Sequence, residues 1–156
     1  MRAETGEAYE ASATPTSALE RAKGQRLSLR RAIDEFHEVL DGPGRDPVDR
    51  LVPILEQLRL IFGVHVEVTE APGGLYEEIL EIAPRLANKI ARFKREHIVI
   101  ARAIVSADDD LRSEGDTPPD LHARLVHLHE MLSRHRRRGA DLVYEAYYHV
   151  DIGGES

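Results

Sequence analysis

The chain contains no cysteine and no tryptophan, and only three phenylalanines occur among its 156 residues. The absence of cysteine excludes disulfide bonds, thiolate metal ligands and a cysteine nucleophile. No apolar run approaches the length of a membrane span or of a signal-peptide core, so we expect a cytoplasmic protein without a membrane partner. The formal net charge of −7 argues against nonspecific nucleic-acid binding. No Ser-His-Asp pattern, phosphate loop or dinucleotide fingerprint supports conventional hydrolase or dehydrogenase chemistry.

What the chain does contain is the spacing of amphipathic helices. Four segments repeat apolar residues every three or four positions, and strand-like alternation is essentially absent. Three of the predicted helices span roughly residues 17–41, 84–107 and 119–148; the second begins at Pro47 or at Pro53 and is interrupted by Ala71-Pro72-Gly73-Gly74. The segment LYEEILEI adds a short helical turn or two between the second and the third. Together these elements predict an all-α fold, an up-down-up-down four-helix bundle over residues 17–148.

The segments outside these helices are polar and lack periodicity. Residues 1–16 are predicted to form a disordered tail, and residues 149–156 a Gly-containing C-terminal tail. Between the third and fourth helices, SADDDLRSEGDTPPD is predicted to be a long acidic loop. Its run Asp108-Asp109-Asp110 lacks the rest of a calcium-binding loop, so we interpret that run as a solvated turn.

Three histidines, His65, His97 and His135, fall on the apolar stripes of three different predicted helices. A buried histidine must be paired, kept neutral or bound to a metal. A helix rises about 1.5 Å per residue, and the distances of the three histidines from their helix ends agree to within a few residues, so one layer can hold all three. Arg26 falls in a comparable layer of the first helix. Convergence of three histidines favours a metal pocket, whereas three separately paired core histidines are the alternative.

Several short motifs resemble the hemerythrin-like, or HHE cation-binding, family of four-helix domains. They are the stretch RLSLRRAIDEF, His65 followed by Thr69-Glu70, the Glu96-His97 pair, and His135. The resemblance covers roughly residues 18–148 and implies a hemerythrin-like bundle. It also implies a pocket for two irons, bound by histidines from all four helices and by carboxylates from His-x-x-x-Glu motifs on the second and fourth. On that pattern, the three histidines would be metal ligands.

The chain departs from this family pattern at three positions. Arg26 stands at the first-helix histidine position, and Thr69 and Gly139 stand where the two carboxylates would follow histidines. Without bridging carboxylates, two adjacent divalent ions would repel each other strongly. We therefore predict a mononuclear iron site rather than an intact di-iron centre, with Glu96 in the pocket and with Glu70 as the carboxylate ligand if the break at Pro72-Gly73 unwinds the helix end and turns that side chain inward. Gly139 would either permit close helix approach or leave room for a ligand.

The leading functional hypothesis is a protein that binds or senses iron, or a small ligand such as oxygen, peroxide or nitric oxide at that metal. Three imidazoles also suit zinc. A metal-free bundle that acts as a protein-interaction module, or that binds a small anion through Arg26, is an alternative. Another is an enzyme that uses a histidine as base and Arg26 to hold an anionic substrate. A homodimer through the Tyr-rich segment containing Tyr144, Tyr147 and Tyr148 is a candidate assembly.

Overall fold

The structure, a computed structural model, describes residues 18–42 and 47–148. It consists of α1 (Ala18–Asp41), α2 (Pro47–Glu70), the short α3 (Leu75–Ile82), a 3-10 turn (Pro84–Leu86), α4 (Ala87–Arg112) and α5 (Leu121–Tyr147). No strand occurs among the described residues, which confirms the predicted all-α class. None of these helices is long and apolar enough to cross a bilayer. The two predicted tails, at 1–16 and 149–156, lie outside the described residues.

The four long helices pack as an antiparallel bundle. Contacts join α1 to α2, α2 to α4, α4 to α5, and α5 back to α1, which closes the ring. Pairs of contacts across neighbouring helices give their directions. Early residues of α4 contact late residues of α2 and α5, whereas late residues of α4 contact early residues of both. The prediction of a bundle of four long helices is therefore confirmed.

The apolar core is divided into two clusters along the bundle axis. The larger cluster includes Leu29, Phe36, Leu58, Ile104 and Leu128. The smaller one includes Ala22, Ile79, Ile90, Phe93 and Leu142. Each long helix places one buried polar side chain between the two clusters. These side chains are Gln25, His65, His97 and His135. Burial of these side chains in an apolar bundle requires that their polar atoms find partners.

The predicted end of the third helix, at residue 107, is wrong. Helix α4 continues through the acidic run to Arg112, because Ala107 and Leu111 extend its buried face. Asp108 is only 4% exposed and accepts a hydrogen bond from Arg112 at 2.9 Å, one helical turn later. The interpretation of Asp108 as part of a solvated turn is therefore also wrong. The acidic loop is confined to the residues between α4 and α5.

A tight glycine turn connects α2 to α3. Gly73 adopts a φ of 76°, which favours glycine, and the amide of Gly74 donates to the carbonyl of Ala71 at 2.7 Å. A Cβ built on Gly74 would lie 2.7 Å from the carbonyl oxygens of both Ala71 and Val68. The close approach sends α3 back against α2, where Tyr76 becomes buried at 4% exposure.

We expect a Gly74→Ala variant to be destabilised by about 1–3 kcal/mol, because the new methyl group overlaps rigid backbone carbonyls rather than a flexible side chain. Urea unfolding followed by circular dichroism would measure the change. Gly63→Ala is the matched control, since a Cβ at this exposed position of α2 meets no atom within 4 Å. That control should be stabilised by up to about 1 kcal/mol, because alanine favours the helix. Equal stability of the two variants would contradict the close packing of the turn.

Candidate metal centre

Three imidazole rings converge at the middle of the bundle. His65, His97 and His135 are buried, with exposures of 8%, 1% and 2%. Nε2 of His135 lies 3.3 Å from Nε2 of His65 and 3.1 Å from Nε2 of His97. One candidate ligand atom from each ring lies within 4.8 Å of the other two. Two imidazole nitrogens on one tetrahedral metal, each bound at about 2.0–2.1 Å, are roughly 3.3 Å apart, so the two shorter separations match a shared metal ion.

Carboxylates face the outer nitrogen of two of these rings. Nδ1 of His97 lies 2.5 Å from a carboxylate oxygen of Glu70, and Nδ1 of His135 lies 2.7 Å from one of Glu96. The second carboxylate oxygen of Glu96 accepts a hydrogen bond from Arg138. Because an ionised carboxylate only accepts hydrogen bonds, Nδ1 of each ring carries a proton and donates it. Nε2 of both rings is then left with a lone pair directed at the convergence point.

An amide fixes the third ring in the same way. Nδ1 of His65 lies 2.9 Å from Oε1 of Gln25. The amide nitrogen of Gln25 donates to the backbone carbonyl of Ile61 at 3.2 Å, so Oε1 must be the atom that faces His65. Nδ1 of His65 therefore donates, and all three rings direct a lone pair toward the same region. Histidines bound to metals in proteins use the same arrangement, with the outer N–H donated to a carboxylate or a carbonyl.

Burial keeps the three imidazoles in their neutral form. Burial, and then the neighbouring His135, lower the pKa of His97 from 6.5 to about 3. Burial is also the main reason why the pKa of His65 lies well below 6.5, followed by the charge of His97. Burial lowers the pKa of His135 as well, although Glu96 opposes that change. Neutral imidazole is the form that binds a metal, so these rings need lose no proton to do so at neutral pH.

Aromatic side chains enclose the convergence point. The ring of Phe62 contacts all three imidazoles, with centroid distances of 5.6 Å to His65, 5.7 Å to His97 and 6.1 Å to His135. Phe93 lies 5.4 Å from His135 on the side of the smaller apolar cluster. Such an apolar wall excludes water and strengthens electrostatic interactions within the site.

A phenol from α3 reaches the same point. The hydroxyl oxygen of Tyr76 lies 3.3 Å from Nε2 of His97, and the two rings stack with centroids 5.8 Å apart. Burial raises the pKa of Tyr76, so the hydroxyl keeps its proton and donates it to Nε2 of His97. Tyr76 was not predicted as a site residue, because it follows the glycine turn rather than lying on a long helix. Its only signal was its place with Leu75 and Ile79 on the apolar face of LYEEILEI.

A small cavity of about 20 Å³ lies beside the triad. Its lining includes Arg26, His65, Thr69, Tyr76, His135 and Gly139. A volume of that size holds about one water-sized molecule. A Cβ built on Gly139 would meet no atom within 4 Å, so this glycine leaves open space and permits no close helix approach. Of the two roles proposed for Gly139, the structure favours room beside His135.

Gln25, and not Arg26, is the α1 residue that faces the triad. Gln25 is 9% exposed and hydrogen-bonds His65, whereas Arg26 is half-buried at the neighbouring cavity. The buried face of α1 passes through Ala22, Gln25 and Leu29. A shift of one residue on a helix turns the side chain by about 100°. The predicted stripe of α1 is correct at Leu29, Ile33 and Phe36, but it continues to Gln25, four residues before Leu29, and not to Arg26, three residues before it.

The remaining predicted pocket residues occupy the rim of the site. Glu70 and Glu96 lie on the outer sides of their histidines, at Nδ1, rather than among the converging Nε2 atoms. The group of donors close enough to share a metal contains only the three histidines among the described residues. The Thr69 hydroxyl donates to the backbone carbonyl of His65 at 2.8 Å, within its own helix. A role for Glu70 as a metal ligand stays a prediction.

The Tyr-rich end of α5 lies apart from this site. Tyr144 and Tyr148 are 62% and 54% exposed, and their rings lie 5.4 Å apart. The hydroxyl of Tyr147 instead donates to the carboxylate of Glu78 on α3. A homodimer through the exposed pair stays a prediction.

Comparisons with protein-family models, with curated proteins and with solved structures found no match to this chain. The hemerythrin-like resemblance therefore stays a prediction from its short motifs. Because a fold alone does not establish a function, the donor set and its geometry are the basis for any functional proposal.

Proposed function

We propose that this protein binds one divalent transition-metal ion through Nε2 of His65, His97 and His135, and that a small ligand binds at the position left open. The observation that carries the proposal is the orientation of the three rings. Each Nδ1 donates to a fixed acceptor, so the three converging Nε2 atoms carry lone pairs and no ring N–H lies between them. A cation at the convergence point removes the repulsion among these lone pairs. If the three histidines were only paired separately within the core, their Nε2 atoms would not have to lie close together.

The donor set favours one metal ion over two. Glu70 and Glu96 are the carboxylates nearest to the triad, and both are engaged at the outer nitrogens of the rings. No carboxylate among the described residues joins the shared donor group, so none is placed to bridge two ions. Three imidazoles suit iron(II) and zinc alike, and iron is the metal that the hemerythrin-like resemblance favours.

Each neighbouring residue has a defined part in such a site. Glu70, Glu96 and Gln25 hold the rings in the tautomer that presents Nε2, and the two carboxylates increase the basicity of their imidazoles. Phe62 and Phe93 keep water out. Binding of oxygen, peroxide or nitric oxide at an iron ion is the chemistry that such a metal would supply. The cavity beside Gly139 is the space in which a ligand of that size would fit.

We further propose that the chain is a divergent hemerythrin-like protein. The antiparallel bundle and the histidines on α2, α4 and α5 support this assignment. Gln25 supports it indirectly, because it occupies the α1 position that faces His65 and supplies a polar group there. Loss of the two carboxylates would have converted a two-metal pocket into a one-metal pocket.

Elemental analysis of the purified, tag-free protein from iron-supplemented cells tests the metal proposal. We expect about one iron or zinc ion per chain. Removal of the ion with a chelator should lower the free energy of unfolding, since a ligand at 100 times its dissociation constant contributes about 2.7 kcal/mol. Re-addition of iron(II) or zinc should restore the stability.

Two results would contradict the proposal. Two irons per chain would show that the missing carboxylates do not prevent a di-iron centre. Absence of stoichiometric metal, together with no rise in stability on titration with either ion, would remove the metal function altogether.

A further inference from the structure

The guanidinium of Arg26 presents an unsatisfied donor beside the cavity. Its Nη1 atom is buried and has no hydrogen-bond partner among the described residues. Arg26 lines the cavity together with His65, Tyr76 and Gly139. A buried donor without a hydrogen-bond partner lowers the stability of the folded protein. Nη1 of Arg26 is such a donor, and it lies next to the proposed metal site.

The charges around Arg26 add to this cost. Among the described residues, no carboxylate forms an ion pair with Arg26, and the charged group that acts on it is another cation, Arg136. Burial, and then the charge of Arg136, lower the pKa of Arg26. The guanidinium nevertheless stays protonated, since arginine does not lose its proton in proteins. The positive charge of Arg26 also disfavours protonation of His65. This corner of the site therefore has an excess of positive charge.

A bound metal ion would increase that excess. The three histidines that would bind it are neutral. The carboxylate of Glu70 lies on the outer side of His97, and that of Glu96 on the outer side of His135, so neither faces His65. Glu96 is also shared with Arg138. No carboxylate is among the described residues that line the cavity, and the charges of Glu70 and Glu96 reach it only at Tyr76.

We propose that the cavity beside Arg26 selects an anionic ligand of one or two heavy atoms, which accepts a hydrogen bond from Nη1 of Arg26 while it occupies the open position at the metal. This inference rests on the proposed metal function. The cavity volume of about 20 Å³ sets the size of the ligand. The positive charge of the half-buried Arg26, whose Nη1 atom is buried, sets the charge of the ligand, because a charge-assisted hydrogen bond satisfies the orphaned donor. When a metal ion takes the lone pair of His97 Nε2, the Tyr76 hydroxyl, which donates to that atom in the metal-free protein, becomes a second donor on the lining.

Gly139 keeps the cavity open. It lies on α5 one turn after His135, and a Cβ there would extend into space where no atom lies within 4 Å. An alanine methyl group would fill much of a cavity of this size, while removing the helix penalty of glycine. A Gly139→Ala variant should therefore fold at least as stably as the wild-type protein and exclude the ligand.

Cobalt(II)-loaded protein titrated with cyanide tests the proposal, because the visible absorption of cobalt(II) reports changes in its coordination. Metal content is measured for each variant after the titration. Compared with wild type, Arg26→Gln should bind cyanide about 10- to 100-fold more weakly, the effect of one hydrogen bond to a charged group. Gly139→Ala should weaken binding at least as much. Arg30→Gln, at an exposed position one turn later on α1, is the matched control and should bind as wild type does.

The outcomes separate this inference from the metal function. If all variants hold one cobalt ion and Arg26→Gln binds cyanide with wild-type affinity, the anion site is refuted while the metal site stands. An equal loss in Arg30→Gln and Arg26→Gln would show a general charge effect and would also refute it. If wild-type protein takes up no cobalt, the proposed function fails and the anion site fails with it.

Discussion

Replacement of His97 with alanine is expected to weaken metal binding by about 100- to 1000-fold. Structural metal sites with four ligands bind with an apparent 10–16 kcal/mol, or roughly 3–4 kcal/mol for each ligand, and 1.4 kcal/mol is tenfold in affinity. His97 is the most buried member of the triad, at 1% exposure, so no solvent-exposed group can replace its nitrogen. Competition with a chromophoric chelator would measure the dissociation constants of wild type and variant.

Two further variants distinguish the loss of a metal ligand from other causes of weaker binding. His127→Ala removes an exposed histidine from α5 and should leave the affinity unchanged, which controls for nonspecific binding by imidazole. Glu70→Gln keeps an oxygen near Nδ1 of His97 but removes the charge, and should weaken binding only about 10- to 100-fold. A loss in Glu70→Gln as large as that in His97→Ala would make Glu70 a direct ligand. Wild-type affinity in His97→Ala would rule out the triad as the metal site.

The bundle and the convergence of the histidines could be predicted because both depend on local periodicity. An amphipathic helix repeats at 3.6 residues, so the faces of the long helices are visible in the sequence. A constant rise per residue then gives the height of each residue in the bundle. These two quantities placed His65, His97 and His135 in one layer. On α1, helical spacing allows the position three or four residues before Leu29 to face the core, and the wrong one of the two, Arg26 instead of Gln25, was chosen.

The groups around the triad could not be predicted in the same way. Tyr76 reaches the site because the turn at Gly74 folds α3 back onto α2, and the outcome depends on contacts between backbone atoms rather than on periodicity. The partners of Nδ1 come from other helices, so they depend on how those helices are rotated. Asp108 shows the same limit, since its acidic run resembles a loop but its ion pair with Arg112 extends α4. Long-range geometry decides each of these cases.

The convergence of neutral histidines should also make the metal-free protein sensitive to mild acid. The pKa of His97 is about 3 in the folded state, against an ordinary value of 6.5. Below pH 6.5 the unfolded chain takes up a proton at this residue, whereas the folded chain does not until about pH 3. The unfolded state thus binds more protons in this window, so stability is complete above pH 6.5 and is lost as the pH falls.

Urea unfolding of the metal-free protein at pH 6.5 and pH 4.5 would measure the effect. One pKa unit corresponds to about 1.4 kcal/mol, so His97 alone should lower the free energy of unfolding by about 2–3 kcal/mol over that interval. The lowered pKa of His65 acts in the same direction, again mainly through burial. His127→Ala should lose as much stability as wild type does, because the exposed ring is not part of the buried cluster. A change below about 1 kcal/mol in the wild-type protein would mean that the three rings are not buried together as neutral bases. A bound metal should protect the fold until protons displace it, since both compete for the same nitrogens.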